Sequence, residues 1–195
     1  MARIHGRRLL APLLCSVGLL WTTVTLAQPE PAAALPRPIT VPTVAEVLSD
    51  GGWRALTWYL LTRDDREEVY VRDVGLDPRT AAALAEYGGR AVSAYAAHDA
   101  GLKARFCPRL ANVTTGSELG MTMREWMPLG QQEITRLLAG AFELLSDEDE
   151  RRLTRHLGKL SQTAVFLGDD FSVDYEAFTP AHVKNVVAGA CAPDA

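Results

Sequence analysis

The sequence predicts an all-α fold, an irregular bundle of about five to seven helices in a single domain. Three observations carry this expectation. No run sustains the period-two alternation of a half-buried strand. Helix-start signals recur along the chain, at Thr43 to Glu46, Asp77-Pro78, Ser146 to Asp149 and Thr179-Pro180. Finally, Leu84, Ala91, Tyr95, Leu102 and Phe106 recur at helical spacing, as a core-facing stripe requires. No internal repeat is long enough to suggest a solenoid.

The first 27 residues read as a signal peptide. Arg3, Arg7 and Arg8 precede an apolar run from Leu9 to Trp21, and Thr25-Leu26-Ala27 suits a cleavage site. The run is broken by Pro12 and is short of the roughly 20 apolar residues a membrane span needs. Leu9 to Ala27 carries no charge, however, so an uncleaved anchor remains an alternative. Pro12-Leu13-Leu14 before Cys15 excludes a lipoprotein signal, and Arg7-Arg8 resembles a twin-arginine signal in a poorly fitting context. Removing residues 1–27 takes three of the twenty cations and none of the twenty-four acids, which leaves a net charge of −7. An acidic chain lacks the positive field that nucleic acids and anionic membranes require. Nucleic acid is therefore excluded as a partner, and a membrane is expected only if the signal stays uncleaved.

Residues 28–42 hold Pro29, Pro31, Pro36, Pro38 and Pro42 with three consecutive alanines, and read as a flexible linker. The helical domain is expected over residues 43–195. Thr43-Val-Ala-Glu46 fits a capping box, Gly51-Gly52 should end that first helix, and Trp53 to Thr62 should form the second. Glu67 to Val71 fits either a helix or a short strand through Val-Tyr-Val. Asp77-Pro78 opens a long alanine-rich helix that runs to Phe106, with a possible break at Gly88-Gly89. Asn112 to Gly116 reads as a loop, and further helices are expected at about 118–127, 129–145, 147–167 and 180–190.

Several stretches carry residue types that do chemistry. "LLSDEDERRLTRHLGKL" has acids in its first turn and cations beyond, as a helix dipole favours, with Leu153, Leu157, Leu160 and Ala164 on an apolar face. A solvated amphipathic helix accounts for this. The stretch also resembles the dimerisation helix of MarR-type regulators over under a tenth of the chain, and an exported acidic protein makes a poor DNA-binding regulator. "DDFSVDYEAFT" is similar to the second half of an EF-hand loop, but Phe166, Phe171 and Ala177 occupy the positions of the first acidic ligand, the glycine and the bidentate glutamate. Asp169, Asp170, Asp174 and Glu176 retain only weak cation-binding chemistry.

His98, His156 and His182 remain after signal removal, with no HExxH and no pair at i, i+4. Each reads as a packing or boundary residue. Met121, Met123 and Met127 surround Trp126, a soft-sulfur set that suits copper(I) or an ordinary core. Trp53, Trp58 and Tyr59 read as core aromatics. There is no GxSxG, no glycine-rich phosphate loop and no CxxCH, so no catalytic set, metal set or cofactor is selected. Asn112-Val-Thr matches a glycosylation sequon, while the alanine, arginine and leucine bias reads as bacterial.

Cys107 and Cys191 are the two cysteines of the mature chain and are expected to bond in an oxidising compartment. Closing a loop of about 84 residues stabilises by roughly 4–5 kcal/mol in the chain-entropy model. Two unlinked thiols, or a reactive Cys107 beside Arg105 and Arg109, are the alternatives. The leading functional expectation is a periplasmic or secreted, non-enzymatic helical module that binds a protein partner or a small ligand. The alternative is a helical metal-binding protein or enzyme that uses His98 with Asp99 or Glu86. A structural envelope component on an uncleaved anchor is a third class.

Overall fold

A computed structural model describes residues 41–163 and 173–192, all within one compact unit. Residues 1–40, which hold the expected signal peptide and most of the expected linker, and Ala164, Phe166, Asp169, Asp170 and Phe171 lie outside the described residues. Seven α-helices and no strand occur among the described residues, so the fold is an all-α bundle. They are α1 (Val44–Ser49), α2 (Gly51–Thr62), α3 (Arg66–Val69), α4 (Pro78–Leu110), α5 (Gly116–Phe142), α6 (Asp147–Thr163) and α7 (Pro180–Ala190). A π turn over Tyr70–Val74 extends α3, and a 3₁₀ turn over Tyr175–Ala177 precedes α7.

The Thr43 capping box forms. Its backbone N–H donates to a Glu46 carboxylate oxygen at 2.6 Å, and the Glu46 N–H donates to the Thr43 hydroxyl at 3.3 Å. Gly51-Gly52, by contrast, does not end α1. Asp50 accepts from the Trp53 N–H at 2.9 Å and caps α2, which places both glycines in its first turn. The strand reading of Val-Tyr-Val also fails. A strand would put Val69 and Val71 on one face, but Val69 and Tyr70 are buried while Val71 is exposed. The π turn closes at Gly75, whose φ of 81° is left-handed. The N–H groups of Gly75 and Leu76 both donate to the Tyr70 carbonyl, each at 3.0 Å.

Helix α4 starts as expected, with Asp77 accepting from the Arg79 and Thr80 N–H groups at 3.0 and 3.1 Å. It runs 33 residues without a break, about 50 Å at 1.5 Å per residue. Gly88-Gly89 is a notch instead of a hinge. A Cβ on Gly88 would lie 2.3 Å from the Leu61 carbonyl oxygen, so α2 crosses where only glycine admits it. The Arg66 side chain fills the rest of the notch and donates to the carbonyls of Ala85 (2.8 Å) and Arg63 (2.6 Å).

Helix α5 replaces the two helices expected at 118–127 and 129–145. It passes straight through Pro128, just as α4 passes through Pro108. Proline in a helix interior deletes one hydrogen bond and costs about 3 kcal/mol. Both prolines lie on exposed faces, as do Ala104 and Arg124 one turn earlier, so water can serve the two carbonyls left without a donor. The helix flanking each proline is then kept by its buried side.

Contacts between α4 and α5 run in opposite order. The Tyr87 hydroxyl donates to the Leu137 carbonyl at 2.9 Å, Tyr95 faces Gly130, and Phe106 stacks on Trp126. The two helices are therefore an antiparallel hairpin with a core at each end. The larger core gathers Leu56, Leu60, Tyr70, Leu84, Leu137, Leu138, Phe142, Leu153 and Leu157 from α2, the π turn, α4, α5 and α6. The smaller contains Leu102, Phe106, Leu110, Leu119, Trp126 and Val183, with Tyr175 and Phe178 packed against it. Of the stripe expected on α4, Leu84, Ala91, Leu102 and Phe106 are buried, and Tyr95 is only half-buried. That exception falls between the two cores.

Candidate functional site

The stretch of hairpin between the two cores is left open on one side. There α4 presents Tyr95, Asp99 and Lys103, spaced four residues apart and so stacked along one stripe. The facing stripe of α5 holds Met123, Trp126, Met127, Gly130, Gln131 and Ile134. Ala190, the last residue of α7, completes the lining as an end wall. The result is an open cleft of about 310 Å³. Its floor is firm, because the Trp126 indole lies nearly parallel to Phe106 with ring centres 5.5 Å apart. Its side walls are softer, since the unbranched methionines take many shapes. A Cβ on Gly130 would sit 3.4 Å from the Tyr95 hydroxyl, in ordinary contact, so glycine here leaves room in the cleft.

The polar groups of the cleft are few. Lys103 Nζ lies 3.0 Å from an Asp99 carboxylate oxygen, and the two side chains are 22% and 25% exposed. Every other ion pair described has at least one partner that is 40% exposed or more. Burial, and next the negative charge of Asp99, push the Tyr95 phenol above its ordinary pKa. Tyr95 is thus a neutral donor at physiological pH. Trp58 braces its ring from α2, with centres 5.3 Å apart.

Cys107 and Cys191 are joined, with Cα atoms 5.7 Å apart and 84 residues between them in sequence. The bond ties the end of α7 to α4 beside the cleft's end wall. Cys107 is not the free thiol of the reactive alternative. His98 sits on α4 next to Asp99, with Glu133 of α5 within its electrostatic reach, and its buried Nε2 has no hydrogen-bond partner. Glu86, the other acid considered with it, lies three turns away, about 18 Å along the helix, and pairs with Arg90. The structure therefore does not bring Glu86 to His98. Asp99, for its part, is closed on Lys103.

His156 is half-buried, and its pKa is lowered by burial, with Asp73 opposing that shift. His182 is exposed and meets Phe178 edge-on, 5.9 Å between ring centres. Asp174, from the EF-hand-like stretch, accepts from the Glu176 N–H at 3.1 Å and shapes the 3₁₀ turn. Among the described residues no three or more histidine, cysteine, aspartate or glutamate side chains are grouped to hold a metal ion. Met123 and Met127 share the cleft, whereas Met121 is exposed outside its lining. The sequence reading passed over Lys103, Gly130, Gln131, Ile134 and Ala190. The signal was available in part, as an i, i+4, i+8 stripe of mixed polarity facing an apolar one.

Other hollows are less suited to a ligand. A void of about 10 Å³ among Leu60, Tyr70, Leu84 and Phe142 is of the size of a water molecule and belongs to the larger core. A shallow hollow of about 500 Å³ is lined by Asp64, Asp65, Glu67, Glu68, Val71 and Arg72. Asp65 and Glu68 there are already paired with Arg63 and Arg72. No family model matches the chain, and no curated protein or solved structure matches it either.

Proposed function

We propose that this protein is an exported, non-enzymatic helical module that holds a small ligand in the cleft between α4 and α5. The observation that carries the reading is the cleft itself. A firm aromatic floor, adaptable thioether walls and a few convergent polar groups are the usual make-up of a small-molecule site, and 310 Å³ lies at the lower end of such volumes. A non-enzymatic role is supported by the chemistry of the lining, where Asp99 is engaged by Lys103 and Tyr95 is held protonated. Export is supported by the basic-then-apolar N-terminus and by the Cys107–Cys191 bond, a linkage that persists in oxidising compartments. No described helix is long and apolar enough to cross a membrane. On this reading the protein works in the periplasm or outside a bacterial cell.

Native mass spectrometry of the protein purified from its own envelope provides the test. The expected result is a mature N-terminus at Gln28 and a small molecule that dissociates on unfolding. A stoichiometric metal in place of that molecule would return the reading to the His98 alternative. A protein partner contacting other faces of the bundle would move the site away from the cleft.

A further inference from the structure

We infer that the cleft selects an uncharged, elongated and mainly apolar molecule with one hydrogen-bonding group directed at Tyr95. This rests on the reading of the cleft as the ligand site. Its length comes from the helices. Tyr95 to Lys103 spans about 12 Å of α4 and Met123 to Ile134 about 16 Å of α5, at 1.5 Å per residue. Its volume of about 310 Å³ is that of a small-molecule site. A narrow molecule two or three rings long fits inside.

The charge preference follows from the ion pair. Asp99 and Lys103 face the cleft as a satisfied, mostly enclosed pair and present no net charge to a ligand. A charged ligand would be attracted by one member and repelled by the other, while losing its own hydration. That desolvation costs several kcal/mol per ion, which a neutral molecule avoids. The Tyr95 hydroxyl stands over Gly130 and Gln131 lies one residue further along α5, so hydrogen bonding is concentrated near the middle of the cleft. Met123, Trp126 and Ile134 offer apolar contact on either side. The methionines let the width adjust while the helices fix the length, so shape should be tolerated and charge should not.

The matched dyes N-phenyl-1-naphthylamine and 1-anilinonaphthalene-8-sulfonate share one skeleton and differ by a sulfonate. Each is titrated by fluorescence into the full, oxidised mature chain, into Gly130→Leu, which fills the cleft, and into Met121→Glu, at an exposed methionine outside the lining. Met127→Glu, at an exposed position of the wall whose sulfur accepts from the Tyr175 hydroxyl at 3.7 Å, serves as a second cleft variant that replaces no buried core residue. The expected result is one saturable site that binds the uncharged dye at least about tenfold more tightly than the sulfonate. Its affinity should fall by about tenfold or more in Gly130→Leu and Met127→Glu, and stay within about threefold in Met121→Glu. If the sulfonate binds as tightly and both dyes are lost in Gly130→Leu, the charge preference is overturned and the site stands. If both dyes bind the cleft variants as they bind the native chain, the site itself is overturned.

Discussion

At the Tyr87 end of the hairpin, seventeen described residues are buried in one core drawn from α1 to α6; at the Phe106 end, six are buried. The larger core has more apolar burial to draw on, each large side chain contributing about 1.5–3 kcal/mol. The smaller core adds other devices. A disulfide pins α7, which itself buries only Val183 completely. Tyr175 is seated on two glycine notches, where a Cβ on Gly116 would come within 1.7 Å of its carbonyl oxygen and one on Gly120 within 3.0 Å of its Cβ. Arg109 and Glu125 bridge α4 and α5 at 2.7 Å near the surface. Close approach at glycine thus serves both ends, at Gly88 and at Gly116, while the covalent tie belongs to the small core alone. The cleft opens where neither set of devices reaches.

That contrast can be broken in four ways, beginning with the largest expected effect. Replacing both Cys107 and Cys191 with serine should lower stability by up to about 4–5 kcal/mol, read from urea unfolding. Amide exchange should quicken most in α7 and least in α2. Equal acceleration in both helices would show one cooperative core in place of two. Next, Leu138→Ala in the larger core should cost about 3–5 kcal/mol and Leu119→Ala in the smaller about 2–3, although both leucines are fully buried. Equal losses would remove the distinction in packing.

Third, Gly88→Ala and Gly116→Ala each drive a methyl into a backbone carbonyl oxygen, of Leu61 and Tyr175 respectively. Each should cost about 1–3 kcal/mol. Only Gly116→Ala should shift the near-ultraviolet signal of the stacked Trp126. The smallest effect concerns pH. Burial depresses the folded-state pKa of His156 below its ordinary 6.5, with Asp73 partly offsetting the shift and Lys159 and Arg63 adding to it. The unfolded chain therefore takes up the proton first as pH falls. The stability that neutral His156 contributes is complete above pH 6.5 and is lost below it. His156→Gln should flatten the change in melting temperature between pH 7.5 and 5. An unchanged slope would assign that dependence to other groups.

Much of the fold could be read from the sequence because its signals are local. Thr43, Asp77 and Thr179 cap helices where a hydroxyl or carboxylate precedes a free N–H group, which needs only a few adjacent residues to specify. The disulfide was legible from the cysteine count, with one possible pair after residue 27. The failures share a different cause. Gly51, Gly88 and Pro128 are helix breakers by propensity, yet each lies inside a helix because a cap, a crossing helix or a buried opposite face outweighs about 1–3 kcal/mol of local cost. Those partners are distant in sequence. The cleft was hidden for the same reason. Tyr95 has core spacing on α4, but it lines a cleft completed by residues distant in sequence, Gly130 of α5 and Ala190 of α7.

The bond between Cys107 and Cys191 also makes the intervening chain a ring that contains α5, α6 and α7. Helix α6 contributes Leu153 and Leu157 to the core at the opposite end of the molecule from the bond. A protease that cuts once anywhere between the two cysteines therefore produces two pieces that stay covalently attached, each still seated in its packing. A chain nicked in this way keeps its two pieces together for as long as the bond is oxidised. Reductant would then release on a gel the fragments that its absence concealed.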